Sequence, residues 1–384
     1  MESVEQLLAA ARAETGLDDF GDGSFREGLD RLVRALDEEA HLNEIGAMVL
    51  TMRIVGALKN RLHVEDWYRR HPEIADVVIA APLFGLGLPR TGSTALSFLL
   101  AEDPNTRSLA TWESSEPCPP PSTGLNVPER IAQTEIGLAA QDAITPRLRY
   151  LLPSSATGPM ECLELMGLDF KTQIYNPMAS IPSYARWLDD ADLHSAYAYE
   201  KRVLKLLQWG EPVRPWRLKT PVHLLYLDAL DDVFPDARFV MTHRDPTQVM
   251  VSVSDLFSEF RTMMNDDVDL HQIGADNVEQ WSLAMDRAIA FRDTGDNEAR
   301  FYDMDFRAMQ RDPIGEVRKL YDWLGEPVTP EFEAGMQRWW HANAEKREKN
   351  EHPAPETFGL DLDAVRPRFA EYLQRMDAWT GANA

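Results

Sequence analysis

Residues 87–94 read GLPRTGST, and their types and spacing suit the binding of an anion. Gly92 lets the backbone approach a ligand closely, and Ser93 and Thr94 offer hydroxyl donors at the predicted start of a helix. Backbone N–H groups that converge in such a turn stabilise phosphate or sulfate, together with the positive end of the helix. Arg90 adds a cation with several donors. We therefore predict an anion-binding loop, although an ordinary structural turn also fits this octapeptide taken alone.

The loop departs from that of a nucleoside triphosphatase at one position. Such a loop has a lysine that reaches the β- and γ-phosphates, and here Ser93 stands in its place. The pattern therefore favours an anion other than a magnesium-bound triphosphate, and the sequence has no ligand cluster with metal spacing. A P-loop kinase or nucleotide hydrolase is one alternative function. A noncatalytic nucleotide-binding protein on the same scaffold is another.

The elements that must position this loop alternate between strand-like and helical segments. Strand-like runs occupy residues 77–88, directly before the loop, 237–243 and 299–306, and helical patterns occupy 24–60 and 185–209. Strands that alternate with helices are typical of a parallel sheet covered on both faces. We predict an α/β protein with a P-loop-NTPase-like three-layer fold, a central parallel sheet, and helical N- and C-terminal additions.

The chain is expected to divide into three parts. Residues 1–75 form a helical extension packed on the core, 76–330 form the α/β core, and 331–384 form a C-terminal cap of helices and loops. The charged stretch 341–355, HANAEKREKNEHPAP, is either a solvated loop or a lid over a pocket. The Pro- and Ser-rich segment 112–128 is expected to be loop.

Composition restricts the partners and the compartment. The 39 Lys and Arg residues against 63 Asp and Glu residues give a formal net charge of −24, which argues against a nucleic-acid partner because a polyanion needs a basic face. Cys118 and Cys162 are expected to be reduced thiols. The N-terminus lacks the pattern of a signal peptide, and no apolar run approaches the ~20 residues that cross a bilayer. We expect a cytoplasmic protein with no transmembrane segment.

The sequence resembles the superfamily of sulfotransferases that use 3′-phosphoadenosine-5′-phosphosulfate (PAPS). Pro89-Arg90-Thr91-Gly92-Ser93-Thr94 matches the 5′-phosphosulfate loop of bacterial members and of tyrosylprotein sulfotransferases. Cytosolic phenol and steroid sulfotransferases have lysine at the position of Arg90, which agrees with the bacterial and tyrosylprotein branch. The resemblance implies that all of residues 90–94 contact the cofactor.

Three further elements of the family follow in order, so that the resemblance spans about residues 80 to 330. An arginine at a strand end and a serine eight residues on grip the 3′-phosphate in the family, and Arg244 and Ser252 have this separation. Tyr302 matches a tyrosine that lies near the adenine, although Asp303 replaces the usual glutamate. Residues 218–221, Leu-Lys-Thr-Pro, are similar to a tyrosylprotein sulfotransferase element.

The resemblance implies transfer of a sulfuryl group from PAPS, without a metal, to a hydroxyl or amine of a small-molecule, lipid or carbohydrate acceptor, releasing 3′,5′-ADP. Arg90 and Lys219 would offset charge on the leaving oxygen and the transferring group. Glu113 is the predicted base and Glu116 the runner-up. His223 is a base only if both carboxylates fail. The identity of the acceptor and the oligomeric state are left open.

Overall fold

A computed structural model describes residues 1–343 and 352–381 of the chain. Within these residues, five strands form one sheet in the order β2-β3-β1-β4-β5, and every neighbouring pair is parallel. The strands are β1 (Leu83–Gly87), β2 (Arg107–Ser108), β3 (Trp216–Lys219), β4 (Arg238–His243) and β5 (Phe301–Asp305). The strand order reverses beside β1, and ligands of open α/β sheets bind outside the carboxyl ends of the strands at such a reversal.

Helices surround the sheet. The described α-helices are α1 (Val4–Thr15), α2 (Phe25–Glu38), α3 (Glu44–Arg70), α4 (Ser93–Leu100), α5 (Thr111–Ser115), α6 (Val127–Ile144), α7 (Leu148–Leu151), α8 (Leu163–Met166), α9 (Pro182–Asp190), α10 (His194–Gln208), α11 (Leu227–Val233), α12 (Pro246–Met264), α13 (Leu270–Arg292), α14 (Phe306–Arg311), α15 (Pro313–Leu324), α16 (Pro330–Ala342), α17 (Leu362–Val365) and α18 (Ala370–Gly381). The described 3-10 turns are Pro72–Asp76, Pro121–Thr123, Gly167–Asp169, Gln173–Tyr175, Pro221–Leu225, Asn297–Arg300, Pro355–Phe358 and Arg366–Phe369. None of the described helices is both long and apolar enough to cross a membrane.

The sheet is buried on both faces. Phe84 and Phe239 pack in one apolar cluster with α10, α12 and α13, whereas Leu83 and Val240 pack in another with α4, α15 and α16. Successive strand residues point to opposite faces, so helices cover both sides. The predicted three-layer arrangement with a central parallel sheet is therefore confirmed. Helices α1 to α3 build a further apolar cluster with residues from 170 to 188, and the domain boundaries at 75 and 330 stay predictions.

The start of α12 shows how local sequence places a side chain at the carboxyl edge of the sheet. β4 ends at His243, and Asp245 caps α12 by accepting a hydrogen bond from the Thr247 N–H at 2.9 Å. Pro246 takes the first helical position, where its missing N–H costs nothing. The strand and helix boundaries therefore leave Arg244 in the short turn at the sheet edge.

Some expectations from the sequence differ from the structure. The predicted loop 112–128 contains most of α5 and the start of α6, and β3 was not predicted as a strand. Of the charged stretch 341–355, residues 344–351 lie outside the described residues, so neither the loop nor the lid interpretation is addressed there.

Candidate active site

The predicted anion loop has the backbone conformation that its glycines suggest. Gly92 has a φ of 89° and lies directly before α4, so the free N–H groups of the first helical turn face the loop. A Cβ at this position would lie 2.4 Å from Met309 Cε, the end of a flexible side chain, so it is the positive φ that favours glycine here. Arg90 is in the left-handed region with a φ of 64°, which is uncommon for a residue with a side chain.

Thr91 fixes the loop to the sheet. Its side chain is fully buried, and its hydroxyl donates to the Leu88 carbonyl at 2.6 Å and lies 2.6 Å from the Thr242 hydroxyl of β4. These partners use the hydrogen-bonding capacity of the hydroxyl within the protein. Thr91 therefore holds the loop against β4 through its side chain, and only its backbone is left for a ligand.

Arg90, Arg244 and Ser252, which lie far apart in sequence, come together beside this loop. Arg90 Nε donates to Ser252 Oγ at 3.0 Å, and Arg244 Nη1 donates to the Arg90 carbonyl at 2.9 Å. The Arg244 guanidinium also lies 4.6 Å from the centre of the Phe306 ring. Burial and the nearby positive charge of Arg244 lower the pKa of Arg90 to about 10. The two cations are thus brought together where an anion would relieve their repulsion.

His352 joins this group, although the sequence analysis did not identify it. Its Nε2 lies 3.1 Å from Ser252 Oγ, and its Nδ1 lies 2.9 Å from Asp255 Oδ2. Asp255 also accepts from Arg147 Nη1 at 2.6 Å. His352 is 100 residues from Ser252 in the chain, and no local motif marks it, so no sequence signal was available for this contact.

A second polar group lies at the end of β3. Lys219 Nζ donates to Glu161 Oε1 at 2.5 Å and to Thr94 Oγ1 of the anion loop at 3.2 Å. The Thr220 hydroxyl donates to the other Glu161 oxygen at 2.9 Å. The main chain holds Glu161 in place, because the Cys162 N–H donates to the Lys219 carbonyl at 3.1 Å. The loop, a lysine and a carboxylate therefore meet at one point of the sheet edge.

These groups open onto a cavity of about 300 Å³, which we call the inner cavity. Its polar end contains Thr94, Glu161 and Lys219, and most of its remaining lining is apolar. An apolar pocket with a few convergent polar groups is the usual form of a small-molecule site. A nucleophile bound there would contact both the anion loop and a carboxylate.

Comparison with known proteins supplies the family. The sequence profile of the sulfotransferase family matches residues 82–330. The chain belongs to the sulfotransferase family. The structure is also similar to those of two mycobacterial sulfotransferases, STF1 from Mycobacterium tuberculosis H37Rv and STF9 from Mycobacterium avium. A search of curated proteins gave no match.

Both structural matches extend over nearly the whole chain. STF1 is 32% identical with a TM-score of 0.85, and the match covers 96% of this chain and 99% of that one. STF9 is 32% identical with a TM-score of 0.86, and the match covers 98% of this chain and 97% of that one. These matches confirm the predicted P-loop-like α/β fold and the predicted relation to bacterial sulfotransferases.

The sulfotransferase holds Glu113, the predicted base, away from the Lys219 group. The Glu113 carboxylate is buried on α5, where it accepts from Arg107 Nη2 at 2.6 Å and from the Ala110 N–H at 3.1 Å. Glu116 instead lines a second cavity of about 410 Å³ that adjoins the inner cavity. The structure therefore brings Glu161, and not Glu113 or Glu116, next to the anion loop. Glu113 makes an internal ion pair and a helix-capping hydrogen bond, and its role as the base stays a prediction.

Tyr302 also lies apart from the anion loop. It is the second residue of β5, pairs with Val240 in the middle of β4, and is 95% buried in the apolar cluster that contains α4 and α15. Its ring lies 5.7 Å from that of Trp323 at the end of α15. Tyr302 therefore lies in the core, away from the carboxyl edge of the sheet, and its contact with the adenine stays a prediction.

His223, the fallback base, is fully buried behind β3. Its Nδ1 lies 2.9 Å from the Tyr197 hydroxyl, and burial lowers the pKa of the imidazole to about 3, so the ring is neutral. Among the described residues, His223 forms a group with Cys162 and Glu200 whose side-chain ligand atoms lie within 4.8 Å of one another. Burial raises the pKa of Glu200 to about 8, which favours a protonated carboxyl at neutral pH.

The replacement of Glu200 by glutamine is expected to make the melting temperature less dependent on pH. A folded pKa of about 8, above the ordinary 4.5, means that stability is fully present below pH ~4.5 and is lost as the pH rises towards ~8. Differential scanning calorimetry between pH 5 and 8 with EDTA should show a Glu200→Gln advantage that grows with pH. An advantage that is constant or shrinks would contradict a neutral Glu200.

Proposed function

We propose that this sulfotransferase transfers the sulfuryl group of PAPS to an acceptor hydroxyl and releases 3′,5′-ADP. The observation that carries the proposal is the meeting of Arg90 and Arg244 at the anion loop, where the Arg244 guanidinium donates to the Arg90 carbonyl and its charge helps to lower the pKa of Arg90. Two partly buried cations repel each other, and although Asp255 and Asp245 partly offset this charge, a bound anion would stabilise the pair further. A nucleotide with phosphate groups at both ends provides anions for both.

The hydrogen-bond donors around the loop fit such a nucleotide. The N–H groups at the start of α4, with Arg90 and the hydroxyls of Ser93 and Thr94, would hold the 5′-phosphosulfate, since a helix start and a forked cation both favour tetrahedral anions. Arg244, with Ser252 and His352, would hold the 3′-phosphate. When bound, PAPS supplies the sulfuryl group. Neither Glu113 nor Tyr302 has a part in this proposal.

The protein mainly has to position groups and offset charge, because the transferred group is loosely bonded in the transition state. Glu161 would take the proton of an acceptor hydroxyl in the inner cavity. Lys219, which contacts both Glu161 and Thr94, would offset negative charge on the transferring group. Arg90 and the loop N–H groups would stabilise the charge that develops on the leaving oxygen.

Nucleotide-dependent stabilisation tests the proposal directly. 3′,5′-ADP at one hundred times its Kd is expected to add about 2.7 kcal/mol to the free energy of unfolding, which a thermal-shift assay would detect. ADP without the 3′-phosphate and Mg·ATP serve as controls and are expected to stabilise less. Labelled PAPS with a cell extract should then yield a labelled product for mass spectrometry. Equal melting temperatures with and without 3′,5′-ADP and PAPS would reject the proposal.

A further inference from the structure

The residues that line the inner cavity indicate which class of acceptor it can hold. At its polar end, Glu161 and Lys219 stand beside Thr94 of the anion loop. Away from that end the lining is mainly apolar, and it includes Leu138, Met160, Ile174, Val253, Phe257 and Phe260. An occupant with one hydroxyl at the polar end and an apolar body would bury its apolar surface against these side chains.

Charged side chains in the lining already have partners. Arg53 Nη2 contacts Glu164 Oε2 at 2.5 Å, and Lys219 contacts Glu161 at the same distance. An anionic acceptor would therefore have to compete with Glu164 for Arg53, and an amine would have to compete with Arg53 for Glu164. Transfer of a charged group into such a cavity is unfavourable without a partner, so the lining disfavours a charged acceptor body.

Two of the three glutamines in the lining, Gln173 and Gln280, are engaged in the same way, and Gln141 is the third. Gln280 Nε2 donates to Gln173 Oε1 at 2.7 Å, and Gln173 Nε2 donates to the Tyr226 hydroxyl at 3.0 Å. A carbohydrate carries hydroxyls around its whole ring, and each would need a partner when it leaves water. Among the mainly apolar walls, Gln141 and Ser154 are too few to pair with all of these hydroxyls, so the cavity disfavours a sugar.

The second cavity of about 410 Å³, which we call the outer cavity, adjoins the inner cavity and adds room for an apolar acceptor. It shares Leu138, Met160 and Ile174 with the inner cavity, and Glu116 and Arg130 lie on its own wall. The body of a longer acceptor would remain in the outer cavity.

We propose, resting on the proposed function above, that the acceptor is an uncharged lipophilic alcohol whose apolar body fills the inner cavity. The hydroxyl oxygen forms a new bond to sulfur while its proton passes to Glu161. The bond between sulfur and the phosphate oxygen of PAPS breaks, and 3′,5′-ADP leaves with that oxygen. The product is a sulfate monoester of the alcohol.

A matched set of acceptors tests this class with labelled PAPS and the full-length protein. We expect kcat/KM for 1-octanol to exceed that for 8-hydroxyoctanoate and that for glucose by at least about tenfold, because the last two bring a charge or unpartnered hydroxyls into an apolar site. A tyrosine-containing peptide represents the polypeptide class. A preference for the sugar, the carboxylate or the peptide would overturn the proposal.

Variants of the wall separate this proposal from the proposed function. Leu138→Asp, at a partly exposed wall position on α6, is expected to lower kcat/KM for 1-octanol at least about tenfold, mainly through KM, and to leave stabilisation by 3′,5′-ADP unchanged. Met178→Gln is a milder second variant, should the first fail to fold. Val213→Asp, at a position that is 78% exposed, is the matched control and should behave like the wild type.

The outcomes of these experiments distinguish the proposed acceptor class from the proposed function. Stabilisation by 3′,5′-ADP without transfer to 1-octanol, or transfer that neither wall variant affects, would overturn the acceptor class and leave the nucleotide site standing. Absence of both stabilisation and transfer would overturn the proposed function itself.

Discussion

Replacement of Glu161 by glutamine is expected to lower kcat for sulfuryl transfer by about 10²- to 10⁴-fold, the usual contribution of a general base. Glutamine keeps the size of the side chain and can still accept from Lys219 Nζ or from the Thr220 hydroxyl, but it cannot take a proton from the acceptor. Because Glu161 lies outside the proposed contacts to the nucleotide phosphates, the Kd for 3′,5′-ADP should stay within about twofold. Single-turnover kinetics with isothermal titration calorimetry would measure both.

Glu113→Gln provides the informative comparison for that experiment. Loss of the buried ion pair between Glu113 and Arg107 should lower the melting temperature, since an unpaired buried charge is left behind, and kcat of the folded fraction should change only a few-fold. Glu129→Gln, at an exposed carboxylate on α6, controls for the loss of a charge. Loss of turnover in Glu113→Gln, with normal turnover in Glu161→Gln, would identify Glu113 as the base and contradict the role proposed for Glu161.

Replacement of Arg244 by alanine is expected to weaken the binding of 3′,5′-ADP by about 100-fold or more. Two charge-assisted hydrogen bonds to the phosphate contribute roughly 1.5–3 kcal/mol each, and each 1.4 kcal/mol is about tenfold in Kd. The variant also loses the hydrogen bond to the Arg90 carbonyl, which supports the left-handed backbone of the loop. Isothermal titration calorimetry with 3′,5′-ADP would measure the change.

The controls for Arg244 separate charge from geometry. Arg244→Lys keeps the cation but loses the planar fork, so its affinity should lie between those of the wild type and the alanine variant. Arg318→Ala removes a half-exposed arginine that pairs with Glu333 on α16 and should leave the affinity unchanged. If Arg244→Ala and Arg318→Ala bind 3′,5′-ADP equally well, Arg244 has no part in binding the nucleotide.

The anion loop was predictable because its signals are local. Gly92, the serine and threonine that follow it, and the strand-like run before it are contiguous, so the sequence contained both the turn and the helix start. The position of Arg244 at the edge of the sheet was predictable for a similar reason, since it lies between a recognisable strand and a proline that opens a helix. Arg244 then lies near Arg90 of the loop and Ser252, because a parallel sheet brings the ends of its strands to one edge.

Other parts of the site depend on contacts that no local pattern contains. β3 has only four residues, so the alternation of apolar and charged side chains in Trp-Arg-Leu-Lys is too short to stand out as a strand. The contact between Glu161 and Lys219 spans 58 residues and is fixed by the main-chain hydrogen bond from Cys162. Glu113 is ambiguous from local sequence, because its position after the loop helix favours catalysis while its place in the first turn of α5 suits a helix cap.

Helix α12 contributes residues both to the proposed nucleotide site and to the inner cavity, and this restricts which substitutions it can tolerate. Ser252 and Asp255 lie on the side that meets His352, while Val253, Phe257 and Phe260 line the inner cavity. A substitution that tilts or shifts α12 therefore disturbs the grip on the nucleotide along with the fit of the acceptor. Leu138 lies on α6, which carries none of the phosphate contacts proposed above. Evolution, or an engineer seeking a new substrate range, has more freedom on α6 than on α12.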